Sequence, residues 1–373
     1  MWIAFLILLL IAAACVFYLY KVLRRSLRAF SVSTDKMWIR VMLWAAAGLM
    51  GLCLLDLSSI AFMLVAHFMA FSALAQLIAW TVKKLTSDRL FTVRRVLHCG
   101  VLPLLAAVGV VVYGYFNMYR VVCTDYTLKT HKAIPQEGYR VALIADVHYG
   151  VTLDEGELLQ VCQRVSGEKP DVVILCGDIV DNETTEKGLQ TVFSALGSIE
   201  STYGVYYVYG NHDRPMSAVK SPFTEEQLVR AIEDAGITVL QDKALCLEET
   251  LYLAGRDDPG FGGRGERLTA QQLLAGIPEN AYCIVANHQP ADYAATGKAG
   301  ADLILSGHTH GGQIWPANLV DRLFRFNDAN YGLVSVEKDS KAIVTSGLAG
   351  WGFPIKTSAP SEYVMIQILP ESD

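Results

Sequence analysis

The chain divides by the length of its apolar runs. Residues 2–20, 57–82 and 96–119 contain no charged side chain, and 37–55 is interrupted only by Arg40, near its start. Each run approaches or exceeds the roughly 20 residues that carry a helix across a hydrocarbon core. They predict an all-α bundle of four transmembrane helices in residues 1–120. The alternative, four long charge-free helices buried in a soluble protein, is much harder to satisfy. A cleaved signal peptide fits the first run poorly, because its basic residues follow the apolar stretch instead of preceding it. The same objection, with three further runs behind it, outweighs a lipoprotein-like Ala12–Cys15.

Beyond residue 120 the pattern changes. Residues 121–138 read as a polar linker with an edge strand, and a second domain is expected over 139–373. Short apolar runs at 139–146, 171–178, 204–209, 237–241, 251–255, 282–287, 301–306, 341–346 and 362–369 read as strands. Helical periodicity appears at 153–166, 185–199, 224–235 and 269–275, with Ser221–Thr224 as a helix start. Continuous apolar strands alternating with helices predict an α/β domain whose sheets are covered by helices. Ligand sites in such folds lie at the carboxyl ends of the strands. Five of these strands end in an Asp, Asn or His block.

Charge adds a direction. Lys21, Arg24, Arg25, Arg28, Lys36 and Arg40 lie between the first two apolar runs, and Lys83, Lys84, Arg89, Arg94 and Arg95 between the last two. Asp56, with no basic residue, sits between the middle pair. With four spans the positive-inside rule places both basic loops in the cytoplasm and the C-terminal domain outside it, as an integral protein of the cell membrane. The whole chain has a net charge of −6, of which the first 120 residues contribute +9 and the remainder −15. So acidic a domain is a poor partner for nucleic acid. The eight cysteines include no CxxC pair, which argues against a thiolate zinc site. Cys176 and Cys283 fall in apolar strands and read as buried free thiols.

The chemistry-bearing residues stand in ordered blocks: Asp146-Val-His148, Gly177-Asp178-Ile-Val-Asp181, Gly210-Asn211-His212-Asp213, Asn287-His288 and Gly307-His308-Thr-His310. Alternate residues of an extended strand end share a side, so Asp146 and His148 can grip one ion. His308 and His310 have the same spacing, although a loop there could aim them at different metals. Asp178 has two oxygens with which to bridge two cations, and Asn211 offers a neutral carbonyl. Carboxylate, amide and imidazole donors favour manganese, iron or zinc. His131 reads as a surface residue, and His67 and His98 as helix-packing residues within the apolar runs. Gly260–Gly265 lacks the strand–helix context of a dinucleotide loop and reads as a mobile segment. Gly311-Gly312-Gln313 could let backbone approach a metal or a phosphate closely.

These blocks resemble the calcineurin-like metallophosphoesterase superfamily, whose pattern is D-x-H, G-D-x-x-D, G-N-H-[D/E], a later histidine and G-H-x-H. Asp257-Asp258-Pro259, the longer Gly307–Gln313 and Trp351–Pro354 resemble its membrane-associated bacterial branch. The resemblance implies a four-layer α/β/β/α sandwich and two divalent ions, Mn2+, Fe or Zn2+. One ion would be held by Asp146, His148, Asp178 and His310, and the other by Asp178, Asn211, His288 and His308. His212 would face the leaving-group oxygen, with Asp181 orienting its ring, and a metal-bridging hydroxide would attack phosphorus in line. Asp213 is expected to support the loop.

Phosphoprotein phosphatases of the superfamily carry arginine where Asn182 stands, and no arginine clamp is evident in the blocks, although Arg214 and Arg256 lie nearby. A phosphodiester or pyrophosphate is therefore favoured over a phosphoprotein. Some relatives cleave nucleotide-linked lipid precursors, so a lipid-linked or cell-envelope phosphoester at the bilayer is the expected substrate. An outward-facing domain would not, however, meet cytoplasmic precursors. The competing reading is a non-catalytic metal-binding membrane sensor or scaffold, which the full set of ligands and His212 disfavours. A transporter is disfavoured by the near absence of intramembrane charge.

Overall fold

The computed structural model describes residues 2–86, 90–214, 221–260, 267–337 and 339–371, without the side chains of 2–5. The glycine-rich segment 261–265, expected to be mobile, lies outside the described residues. Two compact units are present: Met1–Phe116 with Gly352–Ile355, and Asn117–Trp351 with Lys356–Asp373.

The first unit contains helices α1 (Trp2–Ala29), α2 (Met37–Cys53), α3 (Ile60–Thr86) and α4 (Phe91–His98), and most of α5 (Val101–Tyr119). Leu19 and Val22 of α1 pack on Leu43 and Ala47 of α2, and Tyr20 stacks on Trp44 at 4.3 Å. The remaining faces are apolar and outward. Leu6, Leu10, Leu49, Leu52, Leu77, Leu105 and Phe116 are all more than half exposed. A soluble bundle would have charge on those faces; a lipid-facing one would not.

Among the described residues three helices, not four, are long and apolar enough to cross a membrane: Leu6–Ala29, Ile60–Thr86 and Val101–Tyr119. The expected span at 37–55 is shorter than its hydropathy suggests. Leu54 and Leu55 leave the helix in tight turns, donating to the carbonyls of Gly51 and Leu52 at 3.1 Å. The 17 helical residues that remain cover about 26 Å at about 1.5 Å per residue, less than a hydrocarbon core of about 30 Å. The outward placement of the second unit rested on an even number of crossings, which three candidate spans do not supply. The run at 96–119 is also divided: α4 ends at His98, and Gly100, with φ of 76°, separates it from α5.

The second unit has two six-stranded sheets. The first runs in the order β1 (Val122–Thr130), β12 (Glu362–Pro370), β2 (Tyr139–Ile144), β3 (Val172–Cys176), β4 (Val205–Val208), β5 (Thr238–Val239). The second runs β10 (Gly332–Ser335), β11 (Lys341–Val344), β9 (Leu303–Ser306), β8 (Tyr282–Ala286), β7 (Leu251–Gly255), β6 (Lys243–Glu248). Residues of the 121–138 segment form edge strand β1, which pairs in parallel with β12.

The layering follows from side-chain alternation. Val141, Leu143, Val172 and Ile174 point into a core shared with Leu253, Ile284, Leu303 and Ile343 of the second sheet. Their neighbours Ala142, Ile144, Val173 and Leu175 face Leu158, Val161, Val192, Phe193 and Leu228. Those belong to helices α6 (Glu155–Gly167), α7 (Glu186–Gly197) and α8 (Glu225–Asp234). On the outer face of the second sheet, Val285 and Ile304 pack on Leu273 and Tyr293 of α9 (Ala270–Leu273) and α10 (Tyr293–Lys298). The result is an α/β/β/α sandwich. Capping boxes at Asp154, Thr224 and Thr269 fix the starts of α6, α8 and α9. Strands β6 and β10, helix α10 and helix α11 (Ala317–Phe324) were not expected from sequence; each is short, and both strands lie at sheet edges.

Candidate metal centre

Strands β2, β3, β4, β8 and β9 release the chain at one end of the two sheets, and the blocks gather there. The turns are tight. Asp146, His148, Asp178, His308 and His310 all adopt positive φ, between 39° and 71°, a region that non-glycine residues seldom occupy without a functional reason. Two glycines make the crowding possible. A Cβ on Gly177 would lie 2.5 Å from Nδ1 of His288, and one on Gly210 would collide with Asp178.

Two groups of donors result. Ligand atoms of Asp146, His148 and His310 lie within 4.8 Å of one another, and so do those of Asp178, His288 and His308. Oδ2 of Asp178 stands between the groups, 3.1 Å from Nε2 of His288 and 3.8 Å from Nε2 of His148. Asn211 joins the second group through Oδ1, 3.2 Å from Nε2 of His288. Each metal ligand inferred from the sequence is thus in one cluster.

The donor set fits two divalent cations. Nε2 of His148 is buried without a hydrogen-bond partner, as is Nδ2 of Asn211. The 3.8 Å from His148 to Asp178 is too long for a hydrogen bond, yet both atoms can reach one ion with bonds of about 2.0–2.2 Å. Ring orientation agrees. Nδ1 of His288 donates to the Cys176 carbonyl at 2.8 Å, and Nδ1 of His310 to the Ala349 carbonyl at 3.1 Å. A carbonyl only accepts, so the proton sits on Nδ1 and Nε2 is turned to the site.

The charges are unbalanced without cations. Burial pushes Asp146 up to about 6, and Asp258 upward as well. Burial also opposes charge on Asp178, but His288 and His148 outweigh it and hold the carboxyl well below its usual range. Burial opposes charge on His288 too, yet Asp178 raises that ring well above its ordinary value. Burial pushes His308 down to about 4, with His288 adding to the effect, and it depresses His212 as well. Divalent ions would neutralise the buried carboxylates and bind the imidazoles in their neutral form, which removes the repulsion between protonated rings.

Asp181 and His212 both lie beside His148. Oδ2 of Asp181, the carboxylate expected to orient His212, lies 3.3 Å from Nδ1 of His148. It therefore holds the ring of a candidate ligand. His212 stands at the half-buried rim, its backbone N donating to Oδ1 of Asp178 at 2.8 Å and its ring 4.5 Å from that of Trp351. Asp213 is fully buried; Oδ2 accepts from Asp178 N at 2.8 Å and Gly210 N at 2.6 Å, and Oδ1 from Ile179 N at 2.8 Å and Val180 N at 3.1 Å. It pins two ligand loops together. Arg214 and Arg256 are engaged elsewhere: Arg214 with Asp257 at 2.8 Å and over the Tyr209 ring at 3.8 Å, Arg256 with Asp292 at 3.3 Å.

Some participants were invisible in the sequence. Lys356 is fully buried; its Nζ donates to the Ser346 carbonyl at 2.6 Å and lies 3.4 Å from that of Ala349, so it braces the loop that holds His310. Burial depresses its amine to about 7. No local pattern announces a lysine in that role. Asp258 and Trp351 fell in motifs noticed for resemblance but not for a role. Oδ2 of Asp258 is buried with no hydrogen-bond partner.

The fold and donors define a dinuclear metallohydrolase centre. Residues 139–312 match the family profile described as calcineurin-like phosphoesterase, and this part of the chain is a calcineurin-like metallophosphoesterase domain. Similarity extends beyond it. A zebrafish (Danio rerio) "Transmembrane protein with metallophosphoesterase domain" is 28% identical over 71% of this chain and 62% of its own length. An uncharacterized metallophosphoesterase of Campylobacter jejuni is 29% identical over 72% of this chain and 71% of its own. The bovine (Bos taurus) protein with the same description as the zebrafish one is 28% identical over 78% and 67%.

Two outcomes follow. Asp213→Ala leaves four buried N–H groups without their acceptor. At about 1–3 kcal/mol for each unsatisfied group, partly relieved by water, it is expected to cost more than about 2 kcal/mol. Thermal unfolding checks the loss, and metal analysis should find fewer than two ions per chain. Chelation of purified protein should lower Tm and re-addition of Mn2+ or Zn2+ restore it; ligand at 100 times its Kd stabilises by about 2.7 kcal/mol.

Proposed function

We propose that the protein is a membrane-tethered, metal-dependent phosphoesterase acting on phosphodiester or pyrophosphate bonds. The observation that carries this reading is the paired donor clusters meeting at Asp178, with His212 set beside them instead of within them. Two divalent ions bound there supply Lewis-acid stabilisation of a phosphoryl group and a nucleophile from water at neutral pH. His212 faces the leaving oxygen and donates to it, or stabilises its developing charge. Asp181 keeps the His148 ring turned to the centre, and Asp213 holds the Asp178 and Asn211 loops in register. The ring of Trp351 borders His212 and shields that side from water.

A diester is favoured over a monoester by the state of the arginines. A phosphate dianion calls for a bidentate guanidinium. Asn182 offers none, and both Arg214 and Arg256 are already matched to carboxylates.

The test uses the full chain in nanodiscs, stripped and reloaded with Mn2+, on bis-p-nitrophenyl phosphate and p-nitrophenyl phosphate. Turnover should require metal and favour the diester. His212→Ala should lower kcat by about 10²–10⁴-fold while metal content stays at two ions. Unchanged turnover in that variant would remove His212 from the mechanism. A metal-loaded wild type inert on both esters would support the sensor or scaffold instead.

A further inference from the structure

Helix α11 presents its faces the wrong way round for a globular protein. At about 100° per residue, Leu319, Val320, Leu323 and Phe324 occupy an arc of about 140°, with Asn318, Asp321 and Arg322 opposite. A surface helix normally buries such an arc. Here those four side chains, with Trp315 and Phe326 beside them, are between 45% and 76% exposed. Phe324 and Phe326 stack on each other at 5.7 Å.

It is the polar face that is attached to the domain. Asp321 accepts from Asn327 Nδ2 at 2.9 Å and Asn330 Nδ2 at 3.1 Å. The Asn330 carbonyl in turn accepts from Thr309, between the two candidate ligands His308 and His310, at 2.6 Å. A Cβ on Gly312 would run into the backbone of Asn318. The helix is therefore held rigidly with its apolar side out.

The last residues of α5, which belong to the second unit, bind the segment that also holds the start of this patch. Asn117, in the final turns of α5, donates to the carbonyls of Lys356 at 3.1 Å and Ala359 at 3.0 Å, and Ser361 donates to the Met118 carbonyl at 2.7 Å. From the same segment, Thr357 donates through its N to the Gln313 carbonyl at 2.7 Å and accepts from Trp315 N at 2.9 Å. Two hydrogen-bonded steps thus connect the end of a candidate span to the start of the exposed apolar patch.

We infer that Trp315–Phe326 is an interfacial anchor that lies in the surface of the bilayer. The apolar arc and the two aromatic ends sink to the level of the headgroup–acyl boundary, and exposed Arg322 and Arg325 meet anionic headgroups. The occupant is lipid because hydrogen bonds tie the patch to the last residues of a candidate span, and because its rim carries Arg322 and Arg325. Gln313, two residues before Trp315, accepts from Trp351 N at 3.0 Å through its Oε1, and Trp351 lies 4.5 Å from His212. Docking therefore brings the rim of the metal centre to the membrane surface. Resting on the phosphoesterase reading, this assigns the substrate to phosphoesters of lipids or lipid-linked headgroups, not soluble esters.

The test uses full chain in nanodiscs of phosphatidylethanolamine and phosphatidylglycerol, with p-benzoylphenylalanine replacing Leu323 or, as a control on α7, Lys187. Irradiation should give a phospholipid adduct at position 323 at least fivefold above that at 187. Equal yields, or a chain-to-chain adduct at 323 in place of lipid, would overturn the anchor. In a second arm the double variant Leu323→Glu, Phe324→Glu hydrolyses bis-p-nitrophenyl phosphate and a phosphodiester-bearing fluorescent lipid in the same nanodiscs. Lipid turnover should fall at least tenfold while soluble turnover stays within twofold; a parallel fall of both, or of neither, would overturn the link to substrate. Loss of soluble turnover in the wild type would instead count against the phosphoesterase reading, and the adduct measurement would stand apart from it.

Discussion

The centre is organised around one buried carboxylate. Asp178 binds His212 N through Oδ1, faces His288 and His148 through Oδ2, and receives the Asp213 side chain at its own N. Its positive φ turns the side chain back over the end of β3, and Gly210 must be glycine-sized to pass it. Such a conformation costs of order 1–3 kcal/mol for a non-glycine residue and persists only where its surroundings over-determine it. The surroundings here are the two packed, mixed sheets. Strands β3 and β4 are fully buried, and their hydrogen-bonded register fixes where the Asp178 and Asn211 loops begin. The sandwich thus holds a strained cluster that a single sheet edge could not.

A graded set of contacts extends outward from that carboxylate. Asp213 ties the loops after β3 and β4; Cys176 and Ala349 carbonyls fix the tautomers of His288 and His310; Lys356 braces the 346–349 backbone. Each of these contacts acts on the aim of a ligand without touching the reacting atoms. A donor set assembled from five strand ends has many ways to be slightly misaligned, and backbone carbonyls are stiffer supports than side chains. That explains why two of the three paired imidazoles are oriented by main-chain oxygens.

Much of this was legible in sequence because the signal is local. A strand that ends in Asp-x-His or Gly-Asn-His announces both its direction and its chemistry, and the strand runs at 139–146, 171–178 and 282–287 contain β2, β3 and β8. What could not be read was of two kinds. Pairings between loops are set by tertiary geometry, so the contact of Asp181 with the His148 ring could not be read from spacing. Lengths near a threshold also misled: hydropathy counts Leu54 and Leu55 as part of an apolar run, but the backbone turns away at Cys53. Helix α11 escaped notice because eight residues carry little periodicity, and its apolar arc is meaningful only once its exposure is known.

That helix also shows how stability and placement are linked. An isolated eight-residue helix is not stable in water, since nucleation costs more than so few hydrogen bonds return. Its order must come from tertiary contacts, and in most domains those are apolar. Here they are the polar contacts of Asp321 with Asn327 and Asn330, leaving a contiguous set of large apolar side chains in contact with solvent. An arrangement of that kind sacrifices hydrophobic stabilisation that a simple inversion of the helix faces would recover. The loss is offset only if a second apolar phase is close by. Two residues separate the end of α5 at Tyr119 from the start of β1 at Val122, so the tether spans at most about 11 Å at about 3.3–3.6 Å per residue. Were α5, a candidate span, to cross a bilayer, so short a connection would keep that second phase near the start of β1, as the inferred anchor requires.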